Sequence, residues 1–224
     1  MRIAGLAWFR LRAAVSAGAL VAPVVALVAV QLIGLGGGDG PAALQMVTAA
    51  CLAFPVLAWA ARQVLDAEPD DQALLSALAV GGAVRGTISG LLAAAGLAVP
   101  AALACVWASL LRVDEQGVTA ADLLAGSGVA VAAAAAATGV GAVAARAVAG
   151  TGAMPVVVLV AAPVLVAVLG LAEAPGVGLL VPRLAVAVRA AYDGRLAEAA
   201  PAVIGQVLLW SCAVLALRLA LHRP

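Results

Sequence analysis

The chain has 224 residues, of which 66% are apolar and 10% charged, and a formal net charge of +1 at neutral pH. A mean hydropathy of +1.19 excludes an ordinary water-soluble domain and points to an integral membrane protein. Near-neutral charge gives no reason to expect nucleic acid, and all twelve basic residues are arginine, so no Walker-type phosphate loop with its lysine can exist.

Residues 1–12, MRIAGLAWFRLR, mix Arg2, Arg10 and Arg12 with Trp8 and Phe9, which predicts a helix resting in the headgroup region. A signal peptide is the rival reading, but the apolar run that follows is too long and lacks a polar cleavage segment. Cutting the chain at every ionisable residue leaves long charge-free runs at 13–38, 40–61, 86–111, 123–145, 147–172 and 199–217. A hydrocarbon core about 30 Å thick needs roughly 20 helical residues, so six transmembrane helices are expected. Their bounds are placed at 13–35, 41–61, 86–111, 122–145, 154–172 and 201–221. Pro23, Pro55, Pro100 and Pro163 are deep enough to kink their helices. Gly34 to Gly40, GLGGGDG, reads as a tight external turn.

Arg62 to Arg85 is the one long interruption between these spans. Asp66, Glu68, Asp70 and Asp71 crowd its start, and the uncharged run 72–84 is too short to cross. A surface helix over 70–84 follows, with Asp70 or Asp71 as its cap, Leu74, Leu75 and Leu78 as one apolar face, and Gly81 and Gly82 loosening its end. Such a helix can present a contact to a soluble partner.

Gly86 and Gly90 form a GxxxG with Ala94 one step on, and the fourth span is nearly all Ala, Gly and Val, so helix backbones can approach closely there. Tight intramembrane packing and a dimer or conduit seam are the two readings of these faces. No ionisable residue lies mid-span, which disfavours a proton-driven carrier. Among the polar residues at depth, Gln45, Thr48, Ser89, Ser109 and Gln206 are candidates for a weakly polar translocation path, with helix-to-helix hydrogen bonding as the alternative. Cys51, Cys105 and Cys212 are odd in number and fall in different runs, so they are read as buried small apolar residues. His222, alone beside Arg223, cannot build a metal or Ser/His site inside the bundle, and no metal site and no catalytic residue is expected. Glu173 to Ala200 is too charged for a further span and is read as short external re-entrant helices over 175–198. With the amino terminus inside, eight arginines fall on the cytoplasmic side (2, 10, 12, 62, 85, 146, 218 and 223) against four outside (112, 183, 189 and 195). Both termini are therefore expected in the cytoplasm, with the chain in the cell (plasma) membrane as a multi-pass protein.

This order of elements resembles the ABC-2 type permeases, the membrane subunits of ATP-binding cassette exporters. The resemblance is closest through Leu65 to Arg85, with its acidic lead, Leu-Leu pair and Gly-x-x-x-Arg, and through Pro175 to Arg223, with the AAYDG break, a proline, an alcohol-rich last span and closing arginines. It implies a dimer with a second permease copy or a paralogous permease, an elbow helix at 1–12, and a partner ATPase subunit that carries ATP and Mg. It further implies that 70–84 is a coupling helix touching that ATPase through Asp70, Asp71, Gln72, Leu74, Leu75 and Leu78. Separately, spans walled by Ala, Val, Leu and a few hydroxyls suit a hydrophobic or amphipathic cargo. A departure is that 62–85 is balanced in charge rather than basic. No cofactor is expected in this chain, no enzymatic activity of its own, and no partners beyond these subunits and membrane lipids. The alternative is a non-transporting membrane scaffold or immunity-type protein.

Overall fold

A computed structural model of the chain describes residues 2–35, 40–112, 118–150, 152–171 and 181–221. Among these the secondary structure is entirely helical. In chain order it comprises α1 (Ile3–Ser16), α2 (Val21–Leu35), α3 (Ala42–Leu65), α4 (Asp70–Ala79), α5 (Ala83–Ser109), α6 (Ala120–Ala144), α7 (Arg146–Ala149), α8 (Met154–Leu171), α9 (Leu184–Tyr192) and α10 (Leu196–Leu221). A 3-10 turn, Leu110–Arg112, ends α5.

Four of these helices, α3, α5, α6 and α10, are long and apolar enough to cross a membrane, and α1 with α2 makes a fifth if that pair counts as one span. The predicted first span is broken. A bend of 80° separates α1 from α2, because Gly18 takes a left-handed φ of +68° at the end of α1 and the Ala19 amide bonds back to the Ala14 carbonyl. No charge marks this break, which is why the apolar run reads as continuous from Ala13. The remaining 15 residues of α2 rise only about 22 Å at about 1.5 Å each. Pro23, expected to kink a span, instead lies in the first turn of α2, where its missing N–H leaves no bond unmade. Pro55, Pro100 and Pro163 are interior to α3, α5 and α8.

Other boundaries differ in detail. The surface helix ends at Ala79 rather than residue 84, because Gly81 and Gly82 adopt φ of +93° and +125°. The last helix begins at Leu196 and runs through Pro201, so 196–198 belong to it and not to the external segment. Of that segment the described part is α9 and the turn at Gly194, and residues 175–180 lie outside the described residues, as do most of the Gly34 to Gly40 turn and His222.

The core is built from very small side chains. Gly141 of α6 faces α3 so closely that a Cβ there would stand 2.5 Å from the Ala58 carbonyl oxygen and 2.8 Å from the Ala61 methyl. The gain is dispersion contact between two backbones along most of their length. Met46, Val47, Ala50, Phe54 and Leu57 of α3 pack on Val129, Ala133, Ala136 and Val140 of α6, and α5 and α10 close the sides. Cys105 is buried in this core, whereas Cys212 faces outward from α10, contrary to its reading as a buried residue.

Contacts fix the direction of each helix. Gly126 meets Met46 and Gly141 meets Ala58, so α6 runs parallel to α3; Gly128 meets Ile204 and Gly139 meets Val214, so α10 runs parallel to α6. Gly90 meets Leu65, so α5 runs the other way. The ends of α3, α6 and α10, the start of α5 and the whole of α4 therefore gather at one end of the bundle.

Candidate functional site

That shared end holds most of the ion pairs among the described residues, and it is organised by two carboxylates in the turn between α3 and α4. Glu68 is only 7% exposed. Its Oε2 accepts from Arg10 Nε at 2.8 Å, with Arg10 Nη2 at 2.7 Å, while its Oε1 accepts from the Ser76 hydroxyl of α4. The same guanidinium donates through Nη1 to the Gly86 carbonyl at 2.7 Å and to Ser89 Oγ at 3.2 Å. One arginine thus ties α1, the turn, α4 and the start of α5 together. Ser89, a candidate path residue, is consumed by this knot and donates its own proton to the Gly86 carbonyl.

The GxxxG glycines explain why these groups can meet. A Cβ on Gly86 would stand 3.0 Å from the Ala77 Cβ of α4, and one on Gly90 would stand 2.9 Å from Arg10 Nη1. Both glycines therefore clear space within the chain, for α4 and for the Arg10 side chain.

Asp66 anchors the second half of the cluster. Its Oδ2 accepts from Arg62 Nε at 3.2 Å, one helical turn back, and its Oδ1 accepts from the Arg146 amide at 2.9 Å, capping α7. Arg146 Nη2 donates to the main-chain oxygens of Asp66 at 2.9 Å and Glu68 at 3.2 Å. The turn is thus held from three sides. Arg218, near the end of α10, is 5% exposed and donates through Nη1 to the Ala142 carbonyl of α6.

This frame carries α4 outward. Leu74, Leu75 and Leu78 are 65–66% exposed, and Asp71 and Gln72 are exposed beside them. Asp70 lies 3.9 Å from Arg146 Nη2 with its side chain largely in the open. Neither aspartate caps the helix with a side-chain bond: Pro69 holds the N-cap position, and Asp70 and Asp71 occupy the first turn, where their charge favours the amide end of the helix dipole. The four-carboxylate run therefore divides, with Asp66 and Glu68 turned inward and Asp70 and Asp71 outward. No helical period separates the two pairs in the sequence, because the first two lie in a turn whose conformation depends on Arg10 and Arg146.

The five candidate path residues fall in three places. Gln45, Thr48 and Ser109 gather with Gln31 at the opposite end of α3, around a void of about 10 Å³, room for about one water. Ser89 belongs to the Arg10 knot. Gln206 clamps the segment before α9, accepting from the Arg183 amide at 3.0 Å and donating to the Val181 carbonyl at 3.1 Å. A larger apolar crevice of about 420 Å³ opens instead between α3, α8 and α9, lined by Leu44, Phe54, Val166, Leu184, Val188 and Tyr192.

Among the described residues no group of three or more His, Cys, Asp or Glu could hold a metal ion, and the cluster holds a short apolar helix at one end of the bundle. Sequence reasoning missed Arg10, Arg146 and Arg218 as structural members. The available signal was their position, each an arginine beside an apolar run on the side where the acidic turn also falls. No family model, no curated protein and no solved structure matches this chain.

Proposed function

We propose that this chain is the membrane subunit of an ATP-driven exporter, with ATP and Mg bound by a separate ATPase chain that docks on α4. The observation that carries the reading is the contrast within α4. Its leucines are 65–66% exposed, yet the turn before it is fastened by the buried Arg10–Glu68–Ser76 network. A helix that must pass a push from a partner into the membrane needs an apolar anchor outside and rigid attachments behind, and α4 has both.

In this reading α2 and α8 also cross, giving six spans, with helices alternating in direction. The end bearing Arg10, Arg62, Arg85, Arg146 and Arg218 faces the cytoplasm of the plasma membrane with both termini, following the excess of arginine there. The outward apolar faces of α2 and α10 meet lipid or a second copy. The crevice beside Phe54 and Val188 suits a hydrophobic or amphipathic cargo better than the scattered polar side chains do. That scatter favours a second reading, a non-transporting scaffold. Affinity purification of the tagged chain from its native membrane tests between them. An ATP-binding cassette protein retained in stoichiometric amount supports the exporter, and its absence under mild detergent supports the scaffold.

A further inference from the structure

Behind α4 lies a cavity of about 430 Å³ whose walls include Arg10, Arg146 and Arg218, with Asp70 at its rim and Leu65, Leu74 and Ala77 among its apolar lining. The cations around it are unequally partnered. Arg10 is paired with Glu68 and Arg146 with Asp66, whereas Arg218 makes no ion pair among the described residues. Its Nε is buried with no hydrogen-bond partner at all. A buried guanidinium nitrogen without an acceptor is costly, since its hydration is lost and nothing replaces it. Asp70 does not supply the acceptor, because its side chain is 89% exposed and its nearest ion-pair partner is Arg146.

We propose that this cavity, whose lining includes Arg10, Arg146 and the Arg218 side chain with its orphaned Nε, binds the phosphate of an anionic lipid headgroup. Phosphate oxygens match the planar donor fork of arginine, and Arg218, the lining guanidinium without an ion pair among the described residues, is the cation left for an anion to meet. Basic pockets between helices at the cytoplasmic headgroup level take such headgroups. The mixed walls favour a lipid over a free ion, since Leu65, Leu74 and Ala77 offer surface to the glycerol and acyl portion. Bound there, the lipid would bridge α1, α7 and α10 behind the leucine face of α4. The site stands whether or not α4 docks an ATPase.

The test uses full-length protein, delipidated in a zwitterionic detergent and titrated with phosphatidylglycerol, phosphatidic acid or phosphatidylcholine while thermal unfolding and retained lipid, by native mass spectrometry, are read. The acidic lipids should raise the melting temperature and remain bound, and phosphatidylcholine should do neither. Arg218→Gln should weaken acidic-lipid binding about tenfold or more, as expected for losing a hydrogen bond to a charged group. In case that variant folds poorly, Asp70→Asn, at an exposed position, provides a change in the opposite direction: binding should tighten roughly twofold to fivefold as a repelling charge at the rim is removed. Equal effects of all three lipids, or an unchanged affinity in Asp70→Asn, would overturn the proposal. Stabilisation by inorganic phosphate with no preference among lipids would keep a phosphate site and overturn its assignment to a lipid.

Discussion

Glu68 and Arg10 are a nearly buried ion pair, with side chains 5% and 11% exposed, and each also has neutral partners that would be left unmatched if the other were removed. Breaking such a pair from one side typically costs about 3–5 kcal/mol, whereas replacing both members by apolar groups is often close to neutral. Glu68→Met and Arg10→Met should therefore each lower the unfolding midpoint in detergent by a similar, large amount. The double variant should recover part of that loss, less than fully because Gly86 and Ser89 lose their donor. A double variant that unfolds at the sum of the two single losses would show that the pair is not a unit. Asp66 differs, because its carboxylate accepts from the Arg62 side chain and from the Arg146 backbone amide, with Arg146 Nε 3.7 Å away. Asp66→Asn should keep most of the geometry and cost about 1–2 kcal/mol, as charged hydrogen bonds become neutral ones.

At the scale of elements, glycine separates two kinds of position along the same apolar helices. Gly141 is pressed against the Ala58 carbonyl, while Gly96 in α5 has open space where a Cβ would go. Gly141→Ala should destabilise by about 1–3 kcal/mol through forced separation of α3 and α6. Gly96→Ala should be neutral or stabilising by up to about 1 kcal/mol, through helix propensity alone. The comparison is internally controlled, and equal effects at the two sites would contradict the packing described for α6. The same elements show what a sequence carries and what it withholds. Helix identity was legible wherever an apolar run was bounded by charge, as at α3 and α6, because exclusion of polar groups is written residue by residue. The Gly18 bend was not, since a left-handed glycine inside an apolar run looks like any other small residue until the chain turns. The apolar face of α4 was legible from Leu74, Leu75 and Leu78, but its seat was not. Arg10 and Glu68 are 58 positions apart, and Arg146 and Asp66 are 80 apart, and no periodicity links residues at such separations. Path residues chosen for polarity alone did not converge, because Ser89, Ser109 and Gln206 each found a hydrogen-bond partner in its own neighbourhood.

For the whole molecule, orientation and coupling are the two claims to be tested. With the three native cysteines replaced by alanine, Tyr192→Cys, at the end of the bundle away from α4, should label with an impermeant thiol reagent in intact cells. Asp71→Cys should label only after the membrane is opened, and the reverse pattern would invert the proposed topology. Purified chain alone should neither bind nor hydrolyse ATP, since no phosphate loop or lysine is present, and turnover that survives removal of contaminants would contradict this. Coupling is the central claim. Truncating buried anchors of an interface typically costs more than about 1 kcal/mol each, whereas exposed rim charges tune rates and salt dependence. The most direct measurement is therefore the stimulation of the proposed ATPase partner by reconstituted chain, parent against Leu75→Ala with Leu78→Ala. Loss of stimulation, with normal insertion and an unchanged melting temperature because both leucines face outward, is the predicted result. Full stimulation by the leucine variant would contradict the assignment of α4 as the coupling element.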